Sequence, residues 1–118
     1  MGKQVIYSNS VNHFLLELLV ILYEKGYFSF IDTAKSYIDK LMHYGERYIG
    51  IIPVKNANIY FNRYGINMKY ITYRANKSTT WYILYQQRDD IFMIRHITNN
   101  HVAAQYFRTG NFYLLARK

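Results

Sequence analysis

Arg95, His96, Asn99, Asn100 and His101 fall within seven positions of this chain, and all five are able to hold a phosphate or handle a proton. An arginine fork grips two phosphate oxygens at once. A histidine exchanges protons near neutral pH, and a tyrosine hydroxyl can stand in for it. These types suit cleavage of an RNA phosphodiester by the substrate's own 2′-hydroxyl. The protein then orients the scissile phosphate, stabilises its added charge and transfers two protons. Tyr106, five residues beyond His101, joins the proton-transfer candidates. Such chemistry calls for no cofactor and no metal. The chain has no cysteine, which excludes thiol catalysis, thiolate zinc sites and a disulfide framework.

Arg95 and His96 belong to "IFMIRHI" (residues 91 to 97), which reads as a strand. Neighbours on a strand point to opposite faces, so only one of the two can face away from a packed layer. Arg95 is the one expected in the open, because an unpaired guanidinium is costlier to bury. That makes His101 its better partner and His96 the weaker one, equally readable as a hydrogen-bonded core or sheet-edge histidine. Asn99, Asn100 and His101 either supply polar groups to nucleic acid or open and cap a helix over "HVAAQYF". His13 and His43 fall on helical segments and read as structural or solvated.

The elements that must position these groups follow from hydrophobic period. "KQVIYS" (residues 3 to 8) is a short strand, and Ser8 or Ser10 can cap a helix over about 11 to 25 that Gly26 ends. Between Phe14 and Leu22 that helix is apolar nearly all round, so burial on more than one side is expected. Ser29 and Asp32 form a capping-box pattern for a second helix, with Phe30, Ala34, Tyr37, Ile38 and Leu41 on one stripe. Gly45 or Gly50 ends it, and Pro53, the only proline, marks the exit. The period then changes to two over residues 58 to 64, 68 to 74, 79 to 87 and 91 to 97, four strands joined by hairpin-length turns. The expected fold class is α+β: a short strand and a two-helix hairpin packed on an antiparallel meander. With 118 residues, one domain covers the chain, and residues 98 to 118 form a C-terminal extension.

Charge divides the chain. Residues 1 to 46 carry four Lys and five acids, a balance of −1. Residues 47 to 118 carry seven Arg and four Lys against two acids, a balance of +9. A one-sided basic segment points to a polyanion or an acidic protein partner. Arg63, Lys69, Arg74 and Lys77 form its densest set, and strand cations of this kind also serve to block edge pairing. Fourteen tyrosines accompany them. Most are expected to fill the core, with Tyr82 and Tyr85 placed to stack bases near Arg95 and Asn99. The longest apolar run is too short for a membrane span, and neither a signal peptide nor a myristoylation motif is evident. A cytoplasmic protein without a membrane association is expected.

The order of elements, with "WYILYQQRDDIFMIRHITNNH" at its end, resembles the RelE/ParE superfamily, the toxins of bacterial type II toxin–antitoxin pairs. The resemblance runs over roughly residues 3 to 101. It implies a partner antitoxin that wraps an acidic segment around the chain. It further implies mRNA cleavage at the ribosome or, alternatively, poisoning of DNA gyrase. The sequence departs from many members in having no basic residue in "WYILY" and in continuing past the last strand. The residues also allow a nucleic-acid-binding module without catalysis.

Overall fold

The computed structural model describes residues 2–26 and 28–107; the end of the C-terminal extension, including Arg108, Arg117 and Lys118, lies outside them. β1 (Gln4–Tyr7) leads into α1 (Asn9–Glu24) and α2 (Ile31–Tyr48). A two-residue β2 (Lys55–Asn56) and a 3-10 turn (Ile59–Arg63) precede β3 (Lys69–Arg74), β4 (Thr80–Arg88) and β5 (Ile91–Asn99). A single turn, α3 (Asn100–Ala103), and a second 3-10 turn to Tyr106 follow. This is an α+β arrangement of two helices followed by a mostly antiparallel sheet. The sheet order is β1-β5-β4-β3-β2, with β1 parallel to β5 and the other pairs antiparallel.

The caps explain the helix ends. Ser8 Oγ accepts from the Val11 N–H at 3.2 Å, fixing the start of α1, and Gly26 at φ 78° closes it. α2 begins one residue later than a Ser29 capping box requires: Phe30 holds the N-cap position and makes no side-chain bond there. Asp32 still lies in the first turn, where the helix dipole favours an acid. Gly45 does not end α2; it is buried within it, where an added Cβ would fall 3.2 Å from Ile83 Cδ1, and the helix runs on to Tyr48. Gly50 makes the exit at φ 82°, with an added Cβ falling 2.7 Å from the Phe92 ring.

Residues 58 to 64 are not a strand. Asn58 Oδ1 accepts from the Tyr60 N–H at 2.8 Å and starts a 3-10 turn, which buries Phe61 and leaves Ile59 out. The β-branched and aromatic residues of "NIYFNRY" mimic a strand, yet only Phe61 is buried, with Tyr60 packed partly against its cluster. The meander is therefore β3–β4–β5, extended by β2.

Two cores result, one on each face of the sheet. Val11, Leu15, Leu18, Ile38 and Leu41 of the helices pack on Ile71, Trp81, Ile83, Tyr85, Phe92, Ile94 and Ile97. Each fully buried aliphatic side chain contributes roughly 1.5–3 kcal/mol. Trp81 satisfies its indole N–H on the Tyr37 hydroxyl at 2.8 Å. On the other face Phe61, Met68, Tyr70, Leu84 and Ala103 form a second cluster, joined by Tyr60, Tyr82, Tyr106 and Phe107. Among the described residues no helix is long and apolar enough to cross a membrane.

Candidate nucleic-acid interface

The strict alternation expected along β5 fails at one residue. Leu84 pairs with His96, but Tyr85 pairs with Ile94, so Arg95 is an extra residue with no partner on β4. A bulge of this kind turns two successive side chains towards the same side of the sheet. Arg95 and His96 therefore share the face turned away from the helices, and neither enters the helix-side core. The expectation that they point in opposite directions is overturned here.

Tyr64 joins them. Arg95 Nε donates to the Tyr64 carbonyl oxygen at 3.1 Å and Nη1 to Met93 Sδ at 3.3 Å. His96 stacks on the Tyr64 ring at 3.8 Å with 6° between the planes, and leans on Phe61. Burial lowers the His96 pKa below that of a free histidine, so the imidazole is neutral near pH 7. A neutral imidazole can accept a proton, as a general base must. Beside it Tyr60 is sandwiched, with the Arg63 guanidinium 4.1 Å from its centroid and Tyr106 stacked at 3.8 Å. Arg63 Nε is also held by the Tyr60 carbonyl at 3.1 Å.

A cavity of about 350 Å³ opens where β1 stops pairing, beyond Ile94. Tyr60, Tyr64, His96, Thr98, Asn99 and Tyr106 all contribute to its lining, with Phe14 and Leu18 of α1 on the far side. No strand among the described residues pairs with this flank of β5 from Arg95 to Asn99. The site thus has an apolar slot, a neutral histidine and aromatic hydroxyls, with Arg95 and Arg63 held against Tyr64 and Tyr60 of its lining.

His101 lies elsewhere. Its Nε2 meets Thr79 Oγ1 at 3.0 Å, beside the β3–β4 turn. Thr79 immediately precedes β4, five residues before Leu84, roughly 17 Å at about 3.3 Å per residue. Arg95 leans the other way, towards Met93, so the expected Arg95–His101 pairing does not form. Asn99 caps α3, its Oδ1 accepting from the His101 and Val102 N–H groups at 2.9 and 3.2 Å. Asn100 locks the turn: its Oδ1 accepts from Thr80 N–H at 2.8 Å and its Nδ2 donates to the Ser78 carbonyl at 2.9 Å. Asn99 thus follows the capping reading, whereas Asn100 ties the start of α3 to the β3–β4 turn.

The remaining expected residues divide between surface and core. Arg74 closes its own hairpin, donating from Nε to Asn76 O at 3.3 Å and from Nη2 to Lys77 O at 3.0 Å. Lys77 and Lys69 are exposed, Lys69 on the edge of the helix-side face opposite Tyr85. Tyr85 is 1% exposed in the helix-side core and cannot stack a base. Tyr82 is half-buried, one face covered by Phe107 at 3.7 Å. Tyr60 and Tyr64 were missed as site residues because their segment reads as a strand; Asn58, a capping residue just before it, is the signal for a turn. Comparison with family models, with curated proteins and with solved structures returned no match.

Proposed function

We propose that this protein is a RelE/ParE-like toxin that cuts RNA without a metal, at the unpaired flank of β5 where Arg95 and His96 stand. The observation that carries the reading is the bulge at Arg95, which sets a phosphate-binding arginine next to a neutral histidine around one tyrosine. Arg95 is held through Nε and Nη1, while Nη2 makes no hydrogen bond among the described residues and is left for a phosphate oxygen. His96 takes the proton of the 2′-hydroxyl, and the Tyr64 and Tyr106 hydroxyls are the candidates to protonate the leaving 5′-oxygen. Arg63 and Tyr60 hold the neighbouring strand by charge and stacking. An acidic segment of a partner antitoxin neutralises this same basic face, and mRNA on the ribosome is the substrate.

A second reading, nucleic-acid binding without cleavage, is favoured by the Arg63–Tyr60–Tyr106 stack, which binds a strand without needing chemistry. Induced expression in a bacterial host separates the two. Wild-type chain arrests growth. Folded Arg95→Ala loses about 10²–10³ in rate, as for removal of one charge-stabilising donor. Folded His96→Ala loses about 10²–10⁴, as for a proton-transfer group, and His101→Ala keeps the arrest. Absence of arrest by the wild type, or full arrest by both Arg95→Ala and His96→Ala, overturns the proposal. Loss confined to His101→Ala moves the site to the β3–β4 turn.

A further inference from the structure

The helix hairpin carries an apolar face that nothing among the described residues covers. Leu16, Val20 and Tyr23 recur at spacings of four and three along α1 and are 65%, 50% and 43% exposed. A helix apolar on the side away from its own sheet has a second surface to bury. Between α1 and α2 runs a groove of about 400 Å³, with buried Leu15 and Ile38 in its floor and Leu16, Leu19 and Met42 on its walls. No strand residue lines it. Its α2 rim carries Lys35 and Asp39, one helical turn apart and exposed. Among the described residues neither is in an ion pair.

We propose that this face binds a second copy of the chain in an antiparallel two-fold arrangement, with the axis passing near Tyr37. A two-fold axis sets one surface against itself in reversed order. Lys35 of each copy then faces Asp39 of the other, and the two Leu16 side chains meet near the axis. An acidic peptide finds one charge of each sign on this rim and gains nothing from the pair. A second copy satisfies both charges at once. The overall charge agrees: residues 9 to 48 carry four cations and five acids, whereas residues 49 to 107 carry seven cations and two acids. Pairing through the helices joins the near-neutral halves and keeps the basic faces on opposite sides of the assembly.

The dimensions agree as well. α1 has 16 residues, about 24 Å of helix, and two helices side by side span about 20 Å. That flat footprint is already close to the roughly 500 Å² per partner at which a specific interface begins.

Sedimentation velocity of the full chain, over a wide concentration range, tests the arrangement. The wild type dimerises on concentration and dissociates on dilution, and Leu16→Glu stays monomeric while keeping its circular dichroism spectrum. Lys35→Asp and Asp39→Lys are each folded monomers, because either change sets like charges across the axis. Mixed in equal amounts, these two variants form a heterodimer, since Asp at 35 then faces Lys at 39 and Lys at 35 faces Asp at 39. A wild-type monomer at every concentration assigns the face to a different protein and overturns the proposal. A dimer indifferent to Leu16→Glu, or charge variants that do not pair on mixing, overturns it equally.

Discussion

On the proposed reading, the arginines that meet nucleic acid are identified by salt dependence. Arg63 and Arg95 are anchored by carbonyls of the Tyr60–Tyr64 segment and project from the face that holds His96. Arg74 is tied by Nε and Nη2 to carbonyls of its own turn and pairs with Thr80, at the end of β4 remote from the Leu84–His96 pair. Each phosphate neutralised on a single strand adds about 0.7 to the slope of log affinity against log salt. Arg63→Gln or Arg95→Gln should therefore flatten the slope by about 0.7. Across a fourfold rise in salt, from about 50 to about 200 mM, that is a factor of about 2.6 for each arginine. Arg74→Gln should leave the slope as it is. The assay is fluorescence anisotropy of a labelled single-stranded RNA titrated at several salt concentrations. A flattened slope in Arg74→Gln with none in Arg63→Gln and Arg95→Gln would refute the placement of the interface.

Two further outcomes follow from the fold. Gly50→Ala should destabilise the chain by about 2–5 kcal/mol, combining about 1–2 for a left-handed non-glycine residue with about 1–3 for forcing a methyl against Phe92. Urea unfolding measures it, and a cost under about 1 kcal/mol contradicts the observed close approach. His96 has its pKa lowered by burial, so the unfolded chain binds a proton there more readily than the folded one. Its contribution is fully present above the unfolded value of about 6.5 and is lost as pH falls through the lower folded value. Urea midpoints should therefore drop as pH falls below about 6.5 more in the wild type than in His96→Gln. Equal drops contradict the burial of the ring.

The helices and the β3–β5 meander were legible because their side chains follow a single period of direction: 3.6 in "SYIDKLM", and two in "TWYILY", where Trp81, Ile83 and Tyr85 enter one core and Tyr82 and Leu84 the other. The helix-side core follows directly from those stripes. The candidate site was legible only in its ingredients. Arg95 and His96 stand out by type, but one extra residue in a ladder leaves no mark on composition, and it reverses the parity on which their orientation was argued. The partners that complete the site come from residues 59 to 64, whose β-branched and aromatic side chains imitate a strand while Asn58 caps a turn. His101 shows the limit of nearness in sequence. Six residues from Arg95, it is drawn away by the Asn99 cap and by Thr79.

The central claim is that Arg95 and His96 act together on RNA through the substrate's 2′-hydroxyl. Mapping RNA ends after brief induction tests it most directly, because that attack leaves a 2′,3′-cyclic phosphate on one fragment and a 5′-hydroxyl on the other. The account predicts such paired ends within coding regions for the wild type and for His101→Ala, and their loss in folded Arg95→Ala and His96→Ala. Intact RNA in cells arrested by the wild type, or unchanged ends in both variants, would contradict it.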